Sequence, residues 1–436
     1  MAPAEPGGGG PHRRPGDPVG QLPPQPWRTA APTRTVLAVL TAGGAEVRFV
    51  GGCVRDAVCR RPVRDIDLAT SEPPDLVLRR LAAGGLRGIP TGLAHGTVTA
   101  LVGGVRFEIT TLRRDVETDG RHAKVAFTDD WVADAARRDF TINALSADPD
   151  GRIYDPFDGL ADLGAGRVRF VGLPARRIEE DALRLLRFFR FHAWFGRGDA
   201  CDRDALAACR RFAPRLATLS GERIAAEMLR LLQAEDPATT LVVMQANGVL
   251  APILPELRDI ARLRQLAWLE RRGLARPDIR PDPLRRLAAL LGPDPAEAAA
   301  VAARLRLSAA DRDRLAALAA AEPAILPMLS AAAFRRLLYR HGASRLRDRT
   351  LLAWAAWRDG RLRPDPADTA AWIGLLDLAS RWEPVALPVR GADLLALGLA
   401  PGPAVGRLLA DLEEWWAERD FRPDRAACLA EARARL

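Results

Sequence analysis

The sequence predicts an α+β fold, with a small mixed-sheet head followed by an all-helical remainder. Short β-branched and aromatic runs fall between residues 47 and 111, the pattern of strands bounded by turn residues. Helical periodicity dominates after about Pro174, as in Asp181 to Phe195, Gly221 to Gln233 and Leu284 to Leu291. Beyond that point β-branched runs nearly vanish.

In the first half, Val36 to Leu40 reads as a short helical stretch leading into Val47-Arg48-Phe49-Val50, a strand ending at Gly51-Gly52. A helix from about Val54 to Arg60 follows, then the extended stretch Asp65-Ile66-Asp67-Leu68. Thr97 to Val102 and Val105 to Thr111 are two more strands, separated by the turn Gly103-Gly104. Residues 113 to 128 are polar and charged and read as a flexible loop. Pro-rich joints near 274–283 and 362–367 break the helical half, which has no tandem repeat.

At 436 residues the chain is too long for one compact domain, and two to four are expected. Met1 to Gln25 is Pro/Gly-rich without an apolar signal core, so it reads as a disordered extension. No run approaches the roughly 18 apolar residues of a membrane span, so no membrane association is expected. The cysteines Cys53, Cys59, Cys201, Cys209 and Cys428 are odd in number and form no CxxC pair. They read as reduced thiols of a cytoplasmic protein rather than a zinc site or disulfide framework. A formal net charge of +9, carried by arginine with Lys124 the one lysine, points to an acidic partner, most commonly a phosphate backbone. Genomic base bias toward Arg, Ala and Leu gives the same composition.

The chemistry concentrates around Asp65-Ile66-Asp67. In a strand, alternate residues face one side, so both carboxylates project together, roughly 7 Å apart at the backbone. Two such acids repel unless a cation sits between them, and a hard divalent ion such as Mg²⁺ suits oxygen ligands. Alone, a DxD pair is equally compatible with a surface loop. Glu108 lies opposite in phase to Phe107 and Ile109 and offers a third carboxylate for a two-metal site, or a solvated partner for Arg106. Upstream, Val50-Gly51-Gly52-Cys53-Val54-Arg55-Asp56 places paired glycines at a strand-to-helix junction. There, backbone N–H groups approach an anion closely, although a Gly-Gly pair also serves as a plain turn.

GGCVRD followed by DID resembles the signature of the bacterial class II CCA-adding enzyme and poly(A) polymerase family. Arg137-Arg138-Asp139-Phe140-Thr141-Ile142-Asn143-Ala144 matches that family's RRDFTINA element, and Glu180-Asp181-Ala182-Leu183-Arg184-Leu185-Leu186-Arg187 matches EDxLRxLR. Ser220-Gly221-Glu222-Arg223-Ile224 is similar to a further neck element. The C-terminal stretch Gly391-Ala392-Asp393-Leu394 through Gly406 resembles the tails of alphaproteobacterial-type CCA enzymes. The chain departs from the pattern at Cys59-Arg60, where relatives carry Leu-Gly, which bears on the turn before Asp65.

The resemblance implies a nucleotidyltransferase (polymerase-beta-like) head over 31–172, a helical neck with a base-reading element over 173–262 and a helical body and tail over 263–436, after an extension over 1–30. It implies template-independent transfer of CMP and AMP from CTP and ATP to the tRNA 3′ end. Asp65 and Asp67 would hold Mg²⁺ with Glu108 in support, and Gly51, Gly52, Arg55 and Arg138 would take the triphosphate. Asp139 and Asn143, four apart and on one face if helical, would hold the ribose. Asp181 and Arg184, three apart, share a face on a helix and read equally as an ordinary salt bridge. As a base reader, arginine donates to N3 of cytosine or N1 of adenine while aspartate accepts from the exocyclic amine. Uracil and guanine would leave those groups unpaired, at roughly 1–3 kcal/mol each. Arg187, one turn on, is expected at the nucleotide too. The 113–128 segment resembles the loop that supports the switch from C to A.

A poly(A) polymerase or an A-adding enzyme shares the same head. A non-catalytic RNA-binding scaffold is the alternative of another class, disfavoured by clustered acids in an RNA-facing cleft. No protein partner is inferred. His95, His122 and His192 lack metal-ligand spacing, and the helical-half arginines and tryptophans read as solvated faces and core.

Overall fold

Eight strands form the main sheet, in the order β1-β10-β9-β2-β3-β6-β5-β4. The computed structural model describes residues 16–119, 122–197, 201–274, 276–361 and 365–436. The strands are β1 (Pro18–Gln21), β2 (Val47–Val50), β3 (Ile66–Thr70), β4 (Arg87–Gly92), β5 (Thr97–Val102), β6 (Val105–Thr111), β9 (Ser146–Ala147) and β10 (Arg152–Tyr154). All neighbours pair antiparallel except β3 and β6, which run parallel, so the sheet is mixed. A separate antiparallel ribbon joins β7 (Arg113–Asp119) to β8 (His122–Phe127).

β2 is buried along its whole length, including Arg48. That charge is tolerated because Glu46 lies 2.5 Å from its guanidinium, while the rings of Trp131 and Tyr154 lie 4.2 and 3.5 Å from it. A buried cation needs such partners. The β5–β6 hairpin turns at Gly103-Gly104, both at positive φ as glycine permits. Helices α1 (Pro26–Thr29), α2 (Ala31–Thr41), α3 (Gly52–Val58) and α4 (Pro74–Ala83) precede or interleave the first strands. α5 (Trp131–Ala136), α6 (Gly159–Ala165), α7 (Pro174–Glu180) and α8 (Leu183–Phe195) follow the ribbon.

The chain packs as two compact units. One comprises Met1–Leu219 with Val243–Ile253, and the other Ser220–Val242 with Leu254–Leu436. The second unit is helical, and several of its helices start at aspartates. Asp259, Asp282, Asp294, Asp365 and Asp424 each accept backbone N–H groups at an N-cap. Within it a buried ionic cluster surrounds Glu270, which lies 2.6 Å from both Arg285 and Arg286. Asp348 lies 2.6 Å from Arg285 and from Arg314.

Several expectations change. The polar 113–128 segment forms the β7–β8 ribbon rather than a loop, because backbone pairing needs no apolar face. The extension expected over 1–30 is ordered at its C-terminal end, where Pro18–Gln21 pair with β10 and Leu22 is buried; residues 1–15 lie outside those described. Asp181 to Phe195 is not one helix. Asp181 takes an extended conformation between α7 and α8, at φ −153° and ψ 109°. The Pro-rich joints begin helices at Pro283 and Pro366, since proline is tolerated in the first turn where no N–H is needed.

Candidate active site

β2 ends at Val50, and Gly51 after it, at φ 67°, lets the chain turn directly into α3. A Cβ there would meet the Arg138 Nη1 at 2.9 Å, so glycine is required on both counts. Gly51 N–H donates to the Leu145 carbonyl at 3.0 Å, which ties the turn to the segment after Asn143.

On the adjacent strand, Asp67 faces Glu108 in the parallel β3–β6 register. Ile66 and Leu68, on the opposite face of the strand, are buried. Asp65, just ahead of the strand, is exposed. Burial pushes the Asp67 carboxyl up to about 6, and the charges of Glu108 and Asp65 act in the same direction against the nearby Arg138. These are like charges brought together. Glu108 also has Arg106 at 3.5 Å.

No group of three or more His, Cys, Asp or Glu among the described residues is arranged to hold a metal ion. The donor set nevertheless suits a hard divalent ion of the kind bound by one or two carboxylates plus substrate phosphates and water. Asp65 and Asp67 would supply the protein oxygens, and the repulsion on Asp67 is what such an ion would relieve.

A chain of hydrogen bonds crosses the rest of the site. Arg55 holds Asp56 with its Nε at 2.9 Å and its Nη2 at 3.1 Å, and its Nη1 donates to the Asn143 side-chain oxygen. The Asn143 Nδ2 donates to Asp139 at 2.9 Å. The other Asp139 oxygen lies 2.5 Å from Arg187 Nη2 and accepts from its Nε at 2.7 Å. Burial pushes the Asp139 carboxyl up, yet Arg187, Asn143 and the Phe140 N–H together hold it below its ordinary value. Asp139 precedes a single 3-10 turn (Thr141–Asn143) rather than sitting in a helix, and the turn still brings the two side chains together.

Arg138 reaches Asp134 at 3.2 Å, and Asp134 also takes Arg137 at 2.7 Å. Arg184 pairs with Glu180 and donates to the Arg177 carbonyl at 3.1 Å. Asp181 accepts from the Leu183 N–H at 3.0 Å, capping the start of α8. The sequence reading missed Asp134, Arg177 and Glu180, which hold the arginines of the site. Arg190, one turn beyond Arg187 on α8, has its guanidinium carbon 4.1 Å from the Phe191 ring.

The chain matches known proteins along most of its length. Residues 47–169 match the Poly A polymerase head domain, and residues 201–260 match the probable RNA and SrmB-binding site of polymerase A. The mitochondrial CCA tRNA nucleotidyltransferase 1 of Danio rerio is 33% identical over 390 residues, covering 86% of this chain and 84% of the relative. The CCA-adding enzyme of Limosilactobacillus fermentum is 32% identical over 395 residues, covering 90% and 94%. The crystal structure of the Bacillus stearothermophilus CCA-adding enzyme in complex with CTP superposes with a TM-score of 0.73 at 27% identity, covering 93% of this chain and 98% of that one. With the glycine turn, the carboxylate pair and the Asp139–Arg187 link in one unit, the chain belongs to the class II CCA-adding enzymes, the tRNA nucleotidyltransferases that share their head with poly(A) polymerases.

Proposed function

We propose that this chain is a template-independent CCA-adding tRNA nucleotidyltransferase. It transfers CMP and then AMP from CTP and ATP to a tRNA 3′ end. The primer 3′-hydroxyl attacks the α-phosphate, the bond to the β-phosphate oxygen breaks, and pyrophosphate leaves. The observation that carries this reading is the grouping of Asp67 opposite Glu108 with the hydrogen-bonded chain Arg55, Asn143, Asp139 and Arg187.

Asp65 and Asp67 would hold Mg²⁺, with Glu108 supporting, and the bound ion would supply charge neutralisation at the phosphates and lower the pKa of the primer hydroxyl. Gly51, Gly52, Arg55 and Arg138 receive the triphosphate, Asp139 and Asn143 orient the ribose, and Arg187 contacts the nucleotide. Asp181 and Arg184 read the base, a role supported by their position where α8 begins, next to Arg177 and Glu180. Positioning and fixed charge do most of the work. We assign the head to 31–172, the neck to 173–262 and the body and tail to 263–436. No helix among the described residues is long and apolar enough to cross a membrane, and a cytoplasmic location is part of the proposal.

The test is incubation with Mg²⁺ and a tRNA transcript ending at the discriminator base, with CTP, ATP or both. Two C residues from CTP, then a single A once ATP is present, is the expected result. A long A ladder from ATP alone identifies a poly(A) polymerase, which shares the head matched over residues 47–169. One A on CC-ended tRNA alone identifies an A-adding enzyme, and no incorporation leaves an RNA-binding scaffold.

A further inference from the structure

Outside the site's polar groups, helix α8 presents two aromatic rings to the arginine that the proposed function places at the triphosphate. The Arg55 guanidinium carbon lies 4.5 Å from the Phe195 ring centroid and 5.1 Å from that of Phe191. The two rings are 6.0 Å apart and tilted by 30°. Phe195 also takes Arg61 at 4.4 Å, so one ring serves two cations, and both lie on the stretch between the glycine turn and Asp65. Phe191 is buried and packs on Phe140 at 5.2 Å, whereas Phe195 is half-buried at the last position of α8.

Three of the five Arg55 N–H donors are engaged in the structure: Nε and one on Nη2 to Asp56, and one on Nη1 to Asn143. The remaining two are left for a phosphate. An arginine side chain carries about 2 kcal/mol of rotamer entropy, and holding it in place before the ligand arrives lowers the cost of binding. A ring face does this without using a donor, because its quadrupole attracts the cation through space. A carboxylate in the same place would oppose a triphosphate.

We infer that Phe195, backed by Phe191, is a positioning residue that holds Arg55 ready for the triphosphate shared by CTP and ATP. This rests on the proposed function. The shared triphosphate makes a specific demand. Loss of the ring weakens both nucleotides by the same factor and leaves the choice between C and A untouched.

The experiment measures KM and kcat separately for CTP and ATP with the full-length protein, Mg²⁺ and tRNA transcripts ending at the discriminator base or at CC. F195L keeps an apolar side chain but removes the ring; F195Y keeps the ring. F195L is expected to raise both nucleotide KM values by roughly two- to tenfold, equally, with kcat and the tRNA KM within about twofold, and F195Y is expected to restore them. Unchanged nucleotide KM values in F195L, unequal factors for CTP and ATP, or an F195Y as impaired as F195L overturn the inference. If F195L does not fold, F195M replaces it under the same criteria. A wild-type protein that incorporates neither nucleotide removes the underlying function instead, and is recognised before any variant is made.

Discussion

Arg187 on α8 and Asp139 ahead of the 3-10 turn lie 2.5 Å apart, so the helix that carries Arg184 is tied to the group placed at the ribose. Asp139 is held below its ordinary value of 3.8. Its pairing therefore stabilises the fold fully above about pH 4 and is lost as the pH falls through the depressed value. D139N should lower unfolding free energy by about 1–3 kcal/mol at pH 7, and the gap to wild type should close below pH 3.8. Urea titrations at both pH values check this; a gap that persists at low pH removes the ion pair as its source.

Burial, with the charges of Glu108 and Asp65 beside it, pushes the Asp67 carboxyl up to about 6. D67A should reduce CMP incorporation by at least about a thousandfold, the scale of several kcal/mol of transition-state stabilisation. Filter binding of tRNA should stay equal or improve, since an anion has left an RNA-facing site. Weakened tRNA binding with incorporation preserved would instead favour a plain surface acid.

Arg60 sits at φ 55° and is exposed. A side chain in that region costs roughly 1–2 kcal/mol, partly offset against glycine by glycine's greater loss of chain entropy. R60G should raise stability by about 0.5–1 kcal/mol and move Tm upward. A lower Tm would mean that the arginine side chain contributes more than its backbone costs.

Glu270 is fully buried between Arg285 and Arg286. Its removal takes the carboxylate away from Arg286 and leaves Arg285 paired with Asp348, in a dry interior. E270A should cost about 3–5 kcal/mol, visible as earlier denaturant unfolding of the second unit by tryptophan fluorescence. A loss under about 1 kcal/mol would show that the cluster rearranges.

The parts of the fold legible in the sequence are those whose pattern repeats over several residues. β5 and β6 fall where alternation and Gly103-Gly104 place them. β1, β9 and β10 are two to four residues long and leave no periodic trace. The β7–β8 ribbon escaped because its pairing is carried by the backbone. Around the candidate site, strand phase anticipated the side-by-side placement of Asp67 and Glu108, whereas Asp65 lies ahead of β3 and outside that phase; the Arg and Asp elements came from family resemblance. What stayed hidden is partner choice. Arg184 pairs with Glu180, four residues back, and the pattern through Asp181 does not anticipate the extended conformation that separates α7 from α8 there.

The pairing of Pro18–Gln21 with Arg152–Tyr154 has a practical consequence for handling the protein. A chain trimmed past Gln21 would leave the backbone of β10 unsatisfied on one side, a template on which a second molecule can add a strand. Such a trimmed protein would keep every residue of the proposed site and still self-associate, losing solubility before it loses catalysis.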